Sequence, residues 1–277
     1  MPRRDDYYNR AKQQGYRSRA AYKLKQLDEL EDVLSPGDIV VDLGAAPGGW
    51  LQVAAEEVGS EGTVIGVDLQ RIEPLDTGAQ SEDARDIDAR NADTRNVDAR
   101  VETIRGDMTE EETRDRIREL VDEVDVVLSD MAPNMTGEYT LDHARSVYLA
   151  RMAFETASEL LATDGTFVVK VFEGPDLEEL RRDIDRAFDY VRTTSPEASR
   201  QESSEVYLIA KGFLTAPVAA GDRLTVTIED VGREGDGIAS VDGYRVFVPE
   251  TEKGESVEIE IEDVKPRFGF ARKVPSE

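Results

Sequence analysis

The chain contains no cysteine and a single histidine. Disulfide frameworks, zinc fingers and cysteine nucleophiles are therefore excluded, and any metal site would have to be built from carboxylates. Lysine is also scarce, with eight residues against 26 arginines and none between Lys25 and Lys170. No apolar run approaches the roughly 20 residues that span a bilayer. The opening residues Met1 to Tyr8 lack the apolar stretch of a signal peptide, so the expectation is a soluble, cytoplasmic protein. What the chain has in excess is negative charge: 60 acidic against 34 basic residues, a net charge of −26 over 277 residues. Its 39% hydrophobic content suffices for a packed core, and its length accommodates a large domain plus a small one.

A charge of −26 argues against nucleic acid, because phosphate binding rests on Lys and Arg releasing counterions. The distribution argues otherwise. Residues 1–25 hold Arg3, Arg4, Arg10, Lys12, Arg17, Arg19, Lys23 and Lys25 against only Asp5 and Asp6, a local balance of +6 interleaved with Tyr7, Tyr8, Tyr16 and Tyr22. Basic residues among aromatics suit a polynucleotide backbone with bases stacked beside it. Dense carboxylates with few lysines elsewhere suit a salt-adapted surface, because at about 1 M salt the Debye length is only ~3 Å and self-repulsion is screened.

Apolar spacing predicts a helix from Arg17 to Val33, ended by Ser35-Pro-Gly-Asp38. Strands are predicted at Ile39–Leu43, Thr63–Val67, Val101–Ile104, Val124–Leu128, Thr166–Val171 and Glu205–Ala210, with helices at Trp50–Val58, Leu141–Leu161 and Leu177–Phe188. This alternation implies a mostly parallel, doubly wound α/β sheet. Residues 76–100 interrupt it: Asp83, Asp88, Asp93 and Asp98 each open an Asp-Ala-Arg or Asp-Thr-Arg triplet. The repeat has the apolar face of neither a strand nor a helix and reads as a charged surface insertion. After residues 213–217, a linker, period-two segments at Arg223–Ile228, Gly243–Pro249, Ser256–Ile261 and Phe268–Val274 alternate with Gly232, Gly235, Gly237 and Gly254. Short alternating strands with Gly turns predict a small β-barrel over residues 218–274.

The turn Gly44-Ala-Ala-Pro-Gly48-Gly49 follows a strand and opens a helix, where free backbone N–H groups and absent side chains admit a ligand. Ala46 and Pro47 spoil a dinucleotide fingerprint, and no Lys-Ser/Thr follows to make a Walker loop. Asp42 adds negative charge at the strand end, and Asp68 ends the next strand, where a carboxylate accepts hydrogen bonds from ribose hydroxyls. A phosphate-free, sulfonium-bearing adenosine, S-adenosylmethionine, fits. Lys170 interrupts the apolar strand Thr166–Phe172, where burying an ammonium requires a partner or a task. Asp130 ends another strand and Glu205 opens a third, so two carboxylates and a lysine converge beside a methyl donor. The sole histidine, His143, reads as a structural residue at a helix start.

Five ordered motifs carry a resemblance: Arg17-Ser-Arg-Ala-Ala-Tyr-Lys23-Leu, Asp42-Leu-Gly-Ala-Ala-Pro-Gly-Gly-Trp50, Ser129-Asp-Met-Ala-Pro-Asn134, Val169-Lys-Val-Phe172 and Ser204-Glu-Val-Tyr207. Over residues 1–212 the sequence resembles the FtsJ/RlmE-type ribosomal RNA 2′-O-ribose methyltransferases. The resemblance implies a Rossmann-like S-adenosylmethionine-dependent domain with a tetrad at Lys23, Asp130, Lys170 and Glu205. It also implies cofactor contacts at Gly48, Trp50, Asp68, Asp107 and Asp130, no metal, and as substrate a uridine of large-subunit ribosomal RNA or of the assembled large subunit. Lys170 is the candidate proton acceptor. Acting as a base requires it to give up its ordinary proton, which desolvation, Lys23 and the cofactor's sulfonium all favour.

Beyond residue 215 the sequence is similar to the TRAM module, which implies RNA capture by a small barrel. Arg233, Arg245, Arg267 and Arg272 with Phe268 or Phe270 are candidates for its binding face. Transfer RNA as substrate, or a catalytically silent RNA-binding assembly factor, are the rival readings. A small-molecule methyltransferase is disfavoured by the basic N-terminus and the second domain.

Overall fold

In the computed structural model, which describes residues 6–75, 99–199, 204–232 and 235–274, the apolar runs Ile39–Leu43 and Thr63–Asp68 form β1 and β2. Both strands are covered on two faces, which is why they read as continuous rather than alternating apolar stretches. The sheet continues with β3 (Arg100–Arg105), β4 (Val124–Ser129), β5 (Leu161–Phe172), β6 (Phe188–Thr194) and β7 (Glu205–Phe213). Its order is β3-β2-β1-β4-β5-β7-β6. Pairings among β1 to β5 are parallel, whereas β7 runs antiparallel to both β5 and β6. Strand order reverses between β1 and β4, so their C-terminal ends open the crevice in which doubly wound sheets hold ligands.

One face of the sheet is covered by α1 (Asp6–Gln14), α2 (Ala21–Glu31) and α3 (Gly49–Val58), around Leu24, Leu27, Trp50, Leu51 and Tyr207. The other carries α4 (Glu111–Leu120), α5 (Tyr139–Leu160) and α6 (Leu177–Asp185), around Ile117, Ala153, Phe167 and Leu180. Several elements depart from the sequence expectation. The helix expected from Arg17 begins at Ala21, with α1 a separate helix before it. The helix expected to reach Phe188 ends at Asp185, because Phe188 opens the edge strand β6. Of the insertion expected at 76–100, residues 76–98 lie outside the described residues, and its last two positions are a buried Ala99 and Arg100, which opens β3.

The C-terminal segment forms a second, curled sheet of six strands: β8 (Arg223–Thr227), β9 (Asp230–Val231), β10 (Gly237–Val241), β11 (Tyr244–Val248), β12 (Ser256–Val264) and β13 (Phe268–Lys273), in the order β8-β12-β13-β11-β10-β9. Alternate residues, among them Val226, Val246, Val248, Ile259, Ile261 and Ala271, fill its interior. Gly237, read from sequence as part of a turn, instead begins β10 opposite Val248. The true turn is Asp242-Gly243, where both residues have positive φ (50° and 86°). That is the requirement of a tight two-residue hairpin, and it joins Val241 to its partner Tyr244.

The barrel meets the first sheet at the end opposite the crevice. Lys265 Nζ lies 2.7 Å from Asp189 at the start of β6, Arg267 lies 3.6 Å from Asp164 in β5, and the hydroxyls of Thr163 and Thr215 are 2.6 Å apart. No helix among the described residues is long and apolar enough to cross a membrane.

Candidate active site

The pairing of β5 with β7 sets Lys170 opposite Tyr207 and Phe172 opposite Glu205. Because strand side chains alternate with period two, Lys170, Tyr207 and Glu205 all emerge on the face covered by α2. There α2 brings Lys23, and the end of β4 brings Asp130. The Lys170 ammonium donates to the Asp130 carboxylate Oδ1 at 2.8 Å and to the Asp130 carbonyl at 2.5 Å. Lys23 Nζ lies 2.7 Å from Glu205 and 3.9 Å from Asp130, and donates to the Tyr207 hydroxyl at 3.1 Å. Tyr207 in turn donates to Asp130 Oδ1 at 2.6 Å. The four residues expected as a tetrad thus form one buried cluster of two cations and two anions, with the lysines only 6% and 7% exposed. Tyr207, which sequence reading left out, is its fifth member; its place in the motif two residues after Glu205 was the available signal.

Charge balance explains why such a cluster tolerates burial. Desolvation pushes the Asp130 carboxyl up, but Lys170 and Lys23, with hydrogen bonds from Lys170 and Tyr207, hold it below its ordinary value. Glu205 shows the same balance, with burial opposed chiefly by Lys23. Burial, then the charges of Asp130 and Glu205, push the Tyr207 phenol well up, so it remains a hydrogen-bond donor. Breaking one member of such a buried pair costs about 3–5 kcal/mol, because the partner is left as an uncompensated charge.

Trp50 supports this arrangement from below. Its indole N–H donates to the Ala20 carbonyl at 2.8 Å, fixing the start of α2, and its ring lies 5.9 Å from that of Tyr207.

Beside the cluster is a cleft of about 670 Å³ at the β1/β4 switch, walled by Asp68, Asp107, Met108 and Asp130. Asp68 accepts from the backbone N–H groups of Ala46 and Gln70 at 2.9 and 2.7 Å, which locks the Gly-rich turn to the end of β2. Asp107 accepts from the Thr109 N–H and hydroxyl at 2.9 and 2.8 Å. Among the described residues, no lysine or arginine lines the cleft. Three of the five residues expected to hold a cofactor, Asp68, Asp107 and Asp130, therefore wall it together, while Gly48 and Trp50 do not. Gly48 caps α3 with φ of 109°, and a Cβ there would meet the Arg17 guanidinium at 2.9 Å. Among the described residues there is no grouping of three His, Asp or Glu side chains able to hold a metal ion.

Three sequence expectations change in the folded chain. Asp42 was expected to lend negative charge; it is 1% exposed, neither carboxyl oxygen has a hydrogen-bond partner among the described residues, and burial followed by Asp130 and Asp68 pushes its carboxyl well up. The aromatic N-terminal segment is chiefly structural, because Tyr16 and Tyr22 are buried and in edge contact with each other, whereas Tyr8 is 59% exposed. Arg17 is likewise committed, donating to the carbonyls of Pro47, Glu73 and Pro74; Arg3 and Arg4 lie outside the described residues. His143, read as a structural residue, is buried, with Asp176 Oδ2 3.3 Å from Nε2. Its Nδ1 meets the Phe172 carbonyl at 3.0 Å, and Nε2 accepts from the Asp176 N–H at 3.3 Å, so the ring ties α5 to the end of β5.

A doubly wound sheet ending in a reversed hairpin, with a nucleoside-sized acidic cleft at its switch point, places the protein among the Rossmann-like methyltransferases. The chain belongs to the FtsJ-like methyltransferase family, which it matches over residues 16–213, and it carries a TRAM domain over residues 217–274. Among its relatives from halophilic archaea, the ribosomal RNA large subunit methyltransferase E of Natronomonas pharaonis is 63% identical over 98% of both chains. The protein of the same description from Haloarcula marismortui is 54% identical over 99% of this chain and all of its own length. In structure, the chain is similar to a ribosomal RNA methyltransferase from Plasmodium falciparum, with a TM-score of 0.58 and 26% identity, covering 72% of this chain and 98% of that one.

Proposed function

We propose that the protein transfers the methyl group of S-adenosylmethionine to the ribose 2′-hydroxyl of a uridine in large-subunit ribosomal RNA, with Lys170 as proton acceptor. The observation that carries this reading is the position of Asp130, which walls the cleft and also grips Lys170 at 2.8 Å. This supports Lys170 as the proton acceptor at the edge of the cleft. The donor set fits the cofactor: Asp68 and Asp107 would accept from nucleoside hydroxyls, and a cleft walled by carboxylates and, among the described residues, by no Lys or Arg favours a cationic, phosphate-free ligand over a dinucleotide. The choice of large-subunit ribosomal RNA rests on what the relatives' names say they modify, and that of a uridine on the family resemblance alone.

When bound, S-adenosylmethionine would supply an electrophilic methyl on a sulfonium, and Asp68, Asp107 and Asp130 would hold it. The protein's own work is positional. Asp130 aims Lys170, Tyr207 fixes Asp130, and Lys23, held by Glu205, keeps a second positive charge beside the developing alkoxide. Holding the hydroxyl near ~3 Å from its target converts a bimolecular encounter into an intramolecular one.

The test is to incubate the protein and labelled cofactor at molar salt, separately with unmethylated large-subunit ribosomal RNA, intact large subunits and transfer RNA, and to map the methylated nucleotide. A 2′-O-methyluridine in ribosomal RNA is expected. Label in transfer RNA alone, or in no RNA, overturns the substrate assignment. Lys170→Ala is expected to bind cofactor normally and to lose at least about 100-fold in transfer rate, the contribution of a positioned base. Near-normal turnover would end the assignment of Lys170.

A further inference from the structure

We propose that Tyr139, at the start of α5, is a stacking platform for a base of the RNA close to the methylated ribose. This rests on the reading of the substrate as RNA and adds a positioning residue that fixes the nucleotide before its hydroxyl reacts.

The segment that follows Asp130 leads from the C-terminal end of β4 to α5, and every residue from Asn134 to Leu141 is exposed. Tyr139 itself is 58% exposed, yet its hydroxyl donates to the Glu173 carbonyl at 2.6 Å. Glu173 directly follows β5, and its own N–H donates to the carbonyl of Ser204 at 2.7 Å, immediately before Glu205 of the lysine cluster. Two hydrogen bonds thus link the Tyr139 ring to the backbone that carries Lys170 and Glu205.

The ring also has a backing. It lies nearly parallel to the His143 imidazole, at 13° with centroids 6.5 Å apart, within the range of offset aromatic pairs. His143 is itself fixed. It is 1% exposed, both ring nitrogens meet backbone groups of Phe172 and Asp176, and a Cβ at Gly174 would collide with the imidazole. A tyrosine held at its hydroxyl beside an immobile ring has little side-chain freedom left to lose when a ligand settles on it. The core does not require this ring, because a side chain more than half exposed buries little apolar area.

Charge and distance select the occupant. Glu138, Glu173 and Asp176, all exposed, border the tyrosine and its backing, so a phosphate is repelled there while the neutral face of a base is not. Base–aromatic stacking also involves no counterion release, so it persists in the molar salt that weakens phosphate contacts. Glu173 lies three residues beyond Lys170, about 10 Å of extended chain at ~3.3 Å each. At about 3.4 Å per stacked nucleotide, a base on Tyr139 belongs to the methylated nucleotide or lies within roughly three of it.

The experiment uses the full-length protein and the variants Tyr139→Ala, Tyr139→Phe and Tyr139→Trp, with thermal unfolding as the folding control. Methyl transfer to unmethylated large-subunit ribosomal RNA is measured in molar KCl, and cofactor affinity by calorimetry. The same RNA, transcribed with 5-iodouridine, is photo-crosslinked and the attachment sites are mapped by mass spectrometry. Tyr139→Ala is expected to raise KM for the RNA about ten-fold, in keeping with the loss of one stacked base, with cofactor affinity unchanged. Tyr139→Phe keeps the ring and loses the bond to Glu173, so it and Tyr139→Trp are expected to stay within about three-fold of the unaltered protein. Crosslinks are expected at Tyr139. A phenylalanine variant as impaired as the alanine variant would assign the effect to the hydroxyl tether and overturn the platform, as would an unchanged KM in Tyr139→Ala or crosslinks only elsewhere. Either of the last two with transfer intact leaves methyl transfer to ribosomal RNA standing alone, and crosslinks at Tyr139 without transfer to any RNA leave the base contact standing alone.

Discussion

Replacing Asp42 with asparagine is expected to stabilise the protein increasingly as pH rises. In the folded chain the Asp42 carboxyl is buried without a hydrogen-bond partner, and Asp130 and Asp68 add like charge to the cost of ionising it. Its folded pKa therefore stands well above the ordinary value of 3.8. Between those two values the unfolded chain has released this proton and the folded chain retains it. The folded state then binds more protons, and stability falls as pH rises, by about 1.4 kcal/mol per unit. Two pH units within that window remove about 2.7 kcal/mol. Asparagine mimics the neutral acid in shape and has nothing to ionise, so this loss vanishes, whereas the cost of burying an unpaired polar group is common to both. Urea unfolding of both proteins at fixed molar KCl, from about pH 5 to pH 8, isolates the term, since every other group cancels in the difference. A difference independent of pH, or one in which the asparagine variant loses ground as pH rises, would refute the reasoning and show that Asp42 is ionised and paired.

Removing only the hydroxyl in Tyr207→Phe leaves Asp130 and Lys23 without their bridge; it is expected to cost about 2 kcal/mol in urea unfolding and to lower kcat without weakening cofactor binding measured by calorimetry. His143→Asn is expected to leave the pH profile of methyl transfer unchanged, because both ring nitrogens are occupied by backbone groups, and a shifted profile would implicate the imidazole in proton transfer. Thermal unfolding is expected to rise from low to molar KCl as the −26 net charge is screened, and equal transition temperatures would remove salt adaptation as the reason for the acidic composition.

The central sheet was legible because its strands are buried on both faces and bounded by Gly, Pro or acidic residues. The elements that escaped had weak local signals. In α4 only Thr113 and Ile117 are buried among charged neighbours, and β6 is an edge strand whose inward residues, Phe188 and Val191, are too few to announce it. In the barrel, Gly237 passed for a turn residue, although its missing side chain makes room for Thr251, whose hydroxyl would lie 2.0 Å from a Cβ there.

The sequence by itself determined the parts: a strand–turn–helix with an acid at the next strand's end, a lysine in an apolar strand, and motifs specific enough to name a family. Those are local properties, written in side-chain type and spacing along a few residues. Tertiary structure alone decided which charges survive burial. Asp42 and Asp130 both lie at the ends of apolar strands, yet burial pushes the carboxyl of Asp42 well up, while lysines brought by β5 and α2 hold that of Asp130 below its ordinary value. It also decided that Tyr16 and Tyr22 serve the core, and that the barrel's phenylalanines face outward at the far end of the sheet. Each of those outcomes depends on distances between residues tens to hundreds of positions apart, which only folding sets.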